Sequence, residues 1–133
     1  MDPMAQTEAA ILPRDGVRAI LRIEGAALAF AAIAAYAHLG GTWSLFAVLF
    51  LAPDSSFLGY LAGTRVGATT YNVAHSTIGP IVLGAIGAVT GQHLALSIAL
   101  IWAAHVGFDR ALGYGLKYAS AFRDTHLGRI GHK

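Results

Sequence analysis

Four apolar stretches fill most of the 133-residue chain and constrain its fold more than any other feature. They cover residues 17–38, 43–62, 71–89 and 94–114, and each is close to the ~20 residues that a helix needs to cross a ~30 Å hydrocarbon core. Charged residues make up 12% of the chain, against about 25% in soluble domains. Since open strands in lipid leave backbone groups without partners, we predict an all-α, four-helix transmembrane bundle.

The distribution of basic residues predicts how the bundle is oriented. The loops around Gly40 and Gly91 contain no Lys or Arg, whereas basic residues flank the other ends of the four helices. Because cytoplasmic loops carry the excess of Lys and Arg, we expect both termini to be cytoplasmic. The chain then divides into a disordered leader at 1–16, a four-helix transmembrane domain at 17–115 and a cytoplasmic basic tail at 116–133.

Composition also narrows the partners and the chemistry. The chain has no cysteine, which excludes disulfides and thiolate metal sites. A net charge of +2 is too small to predict a nucleic-acid partner. We expect membrane lipids as the surroundings, with a homodimer as one form of assembly, and we expect Tyr71 in the inner aromatic belt.

Five ionisable residues lie inside the apolar stretches, where a charge at the centre costs roughly 2.5–3.5 kcal/mol. At ~1.5 Å per residue, Glu24, Asp54, His75, His105 and Asp109 lie about 9, 13, 8, 15 and 9 Å from the cytoplasmic ends of their helices. They come from four different helices but share one half of the bilayer. We therefore predict that they form one site.

Residue types and spacing indicate which chemistry this site performs. His105 and Asp109 are four residues apart and share a helical face, and Pro53 is expected to bend the second helix beside Asp54. Imidazoles and carboxylates without a thiolate suit zinc, manganese or iron. We therefore predict a divalent transition metal held by Asp54, His75, His105 and Asp109, with Glu24 as the catalytic base that activates water.

Other roles for these residues remain open at this stage. Four further polar residues are candidates for the same site: Asn72, Arg110, Asp124 and His126. One alternative is a haem- or quinone-binding protein in which His75 and His105 are the axial ligands. Another is a small proton-coupled transporter, and a third is a structural protein whose polar residues pair with one another without metal.

Six short strings give the chain a family resemblance that covers nearly everything after residue 17. It resembles an uncharacterised bacterial family of four-helix membrane proteins, labelled only as a domain of unknown function, in the strings Leu-Arg-Ile-Glu-Gly (21–25), Leu-Ala-Pro-Asp (51–54), Tyr-Asn-Val-Ala-His (71–75), Ala-His-Val-Gly-Phe-Asp-Arg (104–110), Gly-Tyr-Gly-Leu-Lys-Tyr (113–118) and Asp-Thr-His-Leu-Gly-Arg-Ile-Gly (124–131). The resemblance implies a multi-pass protein of the bacterial inner membrane and no assigned activity.

A weaker similarity is to the metal-dependent hydrolases of the inner membrane. Their pattern includes a Pro-Asp, a later His and a His-x3-Asp, and here Pro53-Asp54, His75 and the His105 motif occur in that order. The hydrolases have a further Asp-His where this chain has Ser55 and Ser56, and an additional His-rich segment. The similarity thus implies one metal rather than two, and a hydrolase that acts on a lipid or another membrane-proximal substrate.

Overall fold

The computed structural model describes residues 3–117, 124–125 and 127–129, with side chains for 16–117 and Leu127. The elements in chain order are α1 (Pro3–His38), α2 (Trp43–Phe50), a 3₁₀ helix (Ala52–Ala62), α3 (Thr64–His75), α4 (Ile78–Thr90), α5 (His93–Leu112), β1 (Asp124–Thr125) and β2 (Gly128–Arg129). The two short strands pair antiparallel as a small hairpin after the helices.

The helices confirm the predicted number of segments that could span a membrane. Four segments are long and apolar enough to cross a membrane: Gly16–His38, Trp43–Ala62, Thr64–Thr90 and His93–Leu112. Large apolar side chains also cover their outer surfaces, with Phe30, Leu61 and Val89 exposed by 77%, 87% and 88%. A continuous apolar exterior of this kind is rare on soluble monomers. The four helices indicate a multi-pass membrane protein.

The second and third spans are each interrupted near the middle. As predicted, Pro53 changes the second span, since α2 ends at Phe50 and the 3₁₀ helix begins at Ala52. The third span was predicted as one helix, which is wrong at Ser76, whose backbone is extended (φ −79°, ψ 150°). Pro80 explains the break, because its ring crowds the carbonyl four residues earlier and it lacks the N–H that would bond there.

Other boundaries also differ from the sequence prediction. A turn at Gly63 (φ +112°), a conformation that glycine adopts without strain, lets α3 begin at Thr64 rather than near Tyr71. The backbone of α1 begins at Pro3 and so includes most of the segment predicted as a disordered leader. Proline suits the first turn of a helix, and the Ala, Gln, Glu and Leu that follow favour helix. Residues 118–123, 126 and 130–133 of the predicted tail lie outside the described residues.

Helix α5 packs against both α1 and α4 and lies at the centre of the bundle. Helix α1 runs antiparallel to it, since Nε of Arg22 donates to the carbonyl of Ala111 (2.9 Å) whereas Ala29, two turns later, lies at the earlier Gly107. Two glycines let these helices approach closely. A Cβ on Gly25 would lie 2.8 Å from the carbonyl oxygen of Gly107, and a Cβ on Gly107 would lie 2.6 Å from the nitrogen of Ala29. Such small-residue crossings are common between membrane helices.

Candidate metal centre

Three elements bring four of the predicted ligands to one point inside the bundle. Asp54 lies in the first turn of the 3₁₀ helix, His75 is the last residue of α3, and His105 and Asp109 are one turn apart on α5. One potential ligand atom from each of the four lies within 4.8 Å of those of the other three. The two breaks in the spans therefore both lie at this site, because Asp54 and His75 are the residues beside them.

The two imidazoles are more deeply buried than the two carboxylates. The side chains of His75 and His105 are exposed by 3% and 2%, and that of Asp109 by 15%. The side chain of Asp54 is exposed by 38%, so one edge of the cluster is accessible. The phenyl ring of Phe50 packs edge-on against His105 with centroids 5.2 Å apart, which holds that imidazole in place.

The distances between the potential ligand atoms are close to those between the ligands of a single metal ion. Nε2 of His75 lies 3.1 Å from Oδ1 of Asp54 and 3.4 Å from Oδ2 of Asp109. Nε2 of His105 lies 3.3 and 3.2 Å from the same two oxygens, and the two Nε2 atoms are 3.1 Å apart. A tetrahedral zinc with bonds of 2.0–2.1 Å separates its ligands by about 3.3–3.4 Å. Five of the six pairs, at 3.1–3.4 Å, lie within about 0.3 Å of this spacing.

A hydrogen bond at the far side of His75 orients that imidazole for metal binding. Its Nδ1 lies 2.9 Å from the carbonyl oxygen of Tyr71, and because a carbonyl can only accept, Nδ1 carries the proton. The Nε2 atom of the neutral ring then presents its lone pair to the cluster. Histidine ligands commonly donate their other N–H to a carbonyl in this way, which fixes the tautomer.

This tautomer leaves the cluster with acceptors that face one another. The lone pair of Nε2 of His75 points toward carboxylate oxygens of Asp54 and Asp109 at 3.1 and 3.4 Å. Neither carboxylate has a proton to donate when ionised, and contacts between acceptors at this distance are repulsive. The cluster therefore requires positive charge between these atoms, supplied either by protons or by a metal cation.

Tyr71 belongs to this site rather than to the inner aromatic belt, so its predicted position is wrong. It is 2% exposed, and its ring stacks on the imidazole of His75 with centroids 3.8 Å apart and planes 9° apart. Its place one turn before His75 was a sequence signal for contact along a helical face. Tyr71 thus contacts His75 in two ways: its ring stacks on the imidazole, and its backbone carbonyl accepts the hydrogen bond from Nδ1.

The segment after α5 folds back onto this face of α3. The ammonium of Lys117 lies 4.6 Å from the centre of the Tyr71 ring, on which it makes a cation–π contact. The backbone N–H of Lys117 donates to Oδ1 of Asn72 (2.6 Å), and Nδ2 of Asn72 donates to the carbonyl of Lys117 (2.8 Å). Burial lowers the pKa of the Lys117 ammonium, and the nearby charge of Asp109 opposes that shift.

The other predicted polar residues take different places. Arg110 donates from Nη2 to the carbonyl of His75 (3.0 Å) and so ties α5 to the last turn of α3. Glu24 is exposed on α1 and is not among the residues whose ligand atoms converge. Asp124 lies in β1, where only the backbone is described, and His126 lies outside the described residues.

Comparisons with known proteins identify the family without naming an activity. No curated protein and no solved structure matches the chain. The similarity to metal-dependent hydrolases receives no support from these comparisons and stays a prediction from the residues. One family model, described as "Domain of unknown function (DUF4260)", matches residues 18–130. The match covers all four spans and the hairpin after them, and the chain therefore belongs to this family of unknown function.

Proposed function

We propose that the protein is a membrane-embedded, metal-dependent hydrolase whose single metal is held by His75, His105 and Asp109, with Asp54 beside it. The observation that carries this proposal is the convergence of two Nε2 atoms and two carboxylate oxygens, in which each Nε2 lies 3.1–3.4 Å from both carboxylates and the two Nε2 atoms are 3.1 Å apart. A divalent cation balances the two carboxylates, which is valuable where the surroundings are apolar. Zinc, manganese and iron all accept this ligand set.

Catalysis requires that one coordination position remain open. Catalytic zinc sites keep three protein ligands, often two histidines and one carboxylate, and leave the fourth position for water or substrate. His75, His105 and Asp109 are the three more buried groups and supply such a set. Asp54 is the most exposed of the four and follows a helix break. In this proposal Asp54 accepts a proton from water, the role predicted for Glu24 from the sequence.

The proposed setting is the inner membrane of a bacterium, with both termini and the site on the cytoplasmic side. Basic residues support this orientation, because Arg22 and Lys117 both lie near the end of α5 that bears Asp109. A site at this depth meets substrates that are themselves in the membrane or at its surface. A bound metal would polarise the carbonyl or phosphoryl group of the substrate and make a water at the site more acidic.

Elemental analysis of detergent-purified protein tests the metal. We expect about one transition-metal ion per chain, reduced in His105→Ala, whose side chain donates one of the two nitrogens. Hydrolysis of a fluorogenic lipid phosphoester or carboxylic ester should then depend on the metal and be lost in Asp54→Asn. Wild-type protein without metal after purification and zinc addition would refute the proposal.

A second function is favoured by the interrupted spans. Ion and substrate sites of many secondary transporters form where membrane helices are discontinuous, and here both Asp54 and His75 lie beside such breaks. Protons shared within the His–Asp pairs would supply the charge that the cluster requires. Proton flux in liposomes that is lost in Asp54→Asn, from protein that binds no metal, would support this alternative.

The geometry does not favour haem at these histidines. Two nitrogens that ligate one iron from opposite faces of a porphyrin lie about 4 Å apart, twice a metal–nitrogen bond of about 2 Å. The Nε2 atoms of His75 and His105 are 3.1 Å apart, and both contact the same carboxylate oxygens. A porphyrin ring would have to displace those carboxylates.

A further inference from the structure

An apolar pocket of about 200 Å³ lies among the same helices as the candidate metal centre. Each segment that bears a ligand also contributes to its wall. Pro53 precedes Asp54, Ala74 precedes His75, and Ile101 is one turn before His105. The pocket and the cluster therefore share the same three backbone segments.

The pocket extends from the cluster toward the interior of the membrane. On α5 its lining residues Ile98 and Ile101 precede His105, by about 10 and 6 Å along the helix, on the side away from the end that bears Asp109. Several of its lining residues, including Leu49 and Trp102, are only half-buried. The pocket is thus accessible sideways from the hydrocarbon as well as adjacent to the polar site.

Among the residues that the structure describes, none lines this pocket with a polar side chain available to a ligand. Its lining is Leu, Ala, Pro, Ile and Trp, and the single polar group among these side chains, the indole N–H of Trp102, donates to the carbonyl of Ala74. A polar molecule would therefore lose hydrogen bonds on entry, whereas a hydrocarbon chain would lose none. A cavity of about 150 Å³ accommodates benzene, so this one has room for roughly six to eight carbon atoms.

We propose that this pocket binds the acyl chain of an amphiphilic substrate and places its polar linkage at the metal centre. The inference rests on the proposed hydrolase function and names its substrate class, an acyl-chain lipid. The first carbons of the chain occupy the pocket, and the remainder extends through the lateral opening into the bilayer. The polar end of the same molecule then faces Asp54, the most exposed member of the cluster.

Quenching of Trp102 fluorescence by a brominated fatty acid tests the pocket. The chain has two tryptophans, and Trp43 is 55% exposed near the opposite end of the second span. In detergent-purified Trp43→Phe protein, the remaining signal comes from Trp102. We expect quenching that saturates at a low mole fraction of the brominated acid. Trp43 in Trp102→Phe protein should instead show quenching that rises in proportion to the probe.

Variants that fill the pocket test whether the brominated acid binds there. Ala74→Leu and Ala52→Leu, each made in Trp43→Phe protein, fill the pocket from two different walls and should abolish the saturable component. Ala85→Leu makes the same change at an exposed position on α4 outside the pocket lining and should preserve it. Two filling variants are used so that misfolding of one does not decide the result.

Metal content measured on the same samples separates the two proposals. Bound metal together with non-saturating quenching, equal in all variants, would overturn the acyl-chain pocket and leave the hydrolase proposal standing. Saturable quenching in protein that takes up no metal would confirm chain binding but refute its assignment as a substrate site. Intermolecular cross-linking that is lost in the filling variants, without saturable quenching, would assign the pocket to a second copy and overturn the proposal.

Discussion

Replacing Asp109 by asparagine distinguishes a metal centre from a set of structural His–Asp pairs. The two side chains have the same shape, but the amide is a poor ligand for a divalent cation. Binding free energies of about 10–16 kcal/mol for four-ligand zinc sites correspond to about 2.5–4 kcal/mol per ligand. Loss of one ligand should therefore weaken binding by about 60- to 900-fold.

Thermal unfolding converts this change into a measurable shift. Zinc at 100 times its Kd stabilises the wild type by about 2.7 kcal/mol, which is about 8–13 °C at roughly 3–5 °C per kcal/mol for a chain of this size. At the same zinc concentration Asp109→Asn should gain less than about 0.6 kcal/mol, or less than about 3 °C. Differential scanning fluorimetry in detergent, with and without zinc, measures both values.

The Tm of metal-free Asp109→Asn, compared with that of the metal-free wild type, can refute the metal centre. The carboxylate oxygen of Asp109 lies 3.2 and 3.4 Å from the two imidazole nitrogens, and an amide N–H in its place would donate to one of them when no metal is bound. Asp109→Asn should then melt at the same temperature as the wild type or higher. If the residues form buried ion pairs instead, removal of one partner should cost about 3–5 kcal/mol, and a large fall in Tm would contradict the metal centre.

Glu24→Gln is the matched control for this substitution. It makes the same carboxylate-to-amide change within the membrane-spanning helices, at a side chain that is exposed on α1 and outside the cluster. Its zinc-dependent shift should equal that of the wild type. A loss of metal binding in Glu24→Gln would show that the cluster of four is not the complete site.

Three further predictions concern packing, the C-terminal segment and pH. Gly107→Ala should destabilise the protein by about 1–3 kcal/mol, because the added Cβ would lie 2.6 Å from the backbone of both Gly25 and Ala29. A lower Tm would measure this effect, and an unchanged Tm would refute the close helix crossing. Asn72→Ala removes both hydrogen bonds to the backbone of Lys117. The rate of amide hydrogen exchange in the segment after α5 should therefore increase by about tenfold or more. An increase of similar size throughout α5 would instead indicate global unfolding. Acidification should release the metal, since protons compete for imidazole and carboxylate ligands; metal content that stays constant from neutral pH to pH ~5 would contradict these ligands.

Much of the architecture could be predicted from local properties of the chain. Length and hydropathy determine where helices cross lipid, because each backbone group must be bonded within its own helix. The cost of polar groups in a membrane predicted that Asp54, His75, His105 and Asp109 converge, but the same reasoning also included Glu24, which lies outside the cluster. The bend at Pro53 followed from the missing N–H of proline, and the same reasoning applied to Pro80 would have located the break at Ser76.

The remaining features depended on how the helices pack. Depth is a property of one helix and can be counted from its end, but the direction of a side chain depends on how that helix is rotated against its neighbours. Gly25 faces α5 at the closest crossing, so Glu24, one residue earlier and about 100° around the helix, points elsewhere. The return of Lys117 to Asn72 and the pocket beside the cluster likewise bring together residues that are distant in sequence. Only the tertiary structure decided these contacts, because they arise from the relative placement of helices and not from the polarity of any one segment.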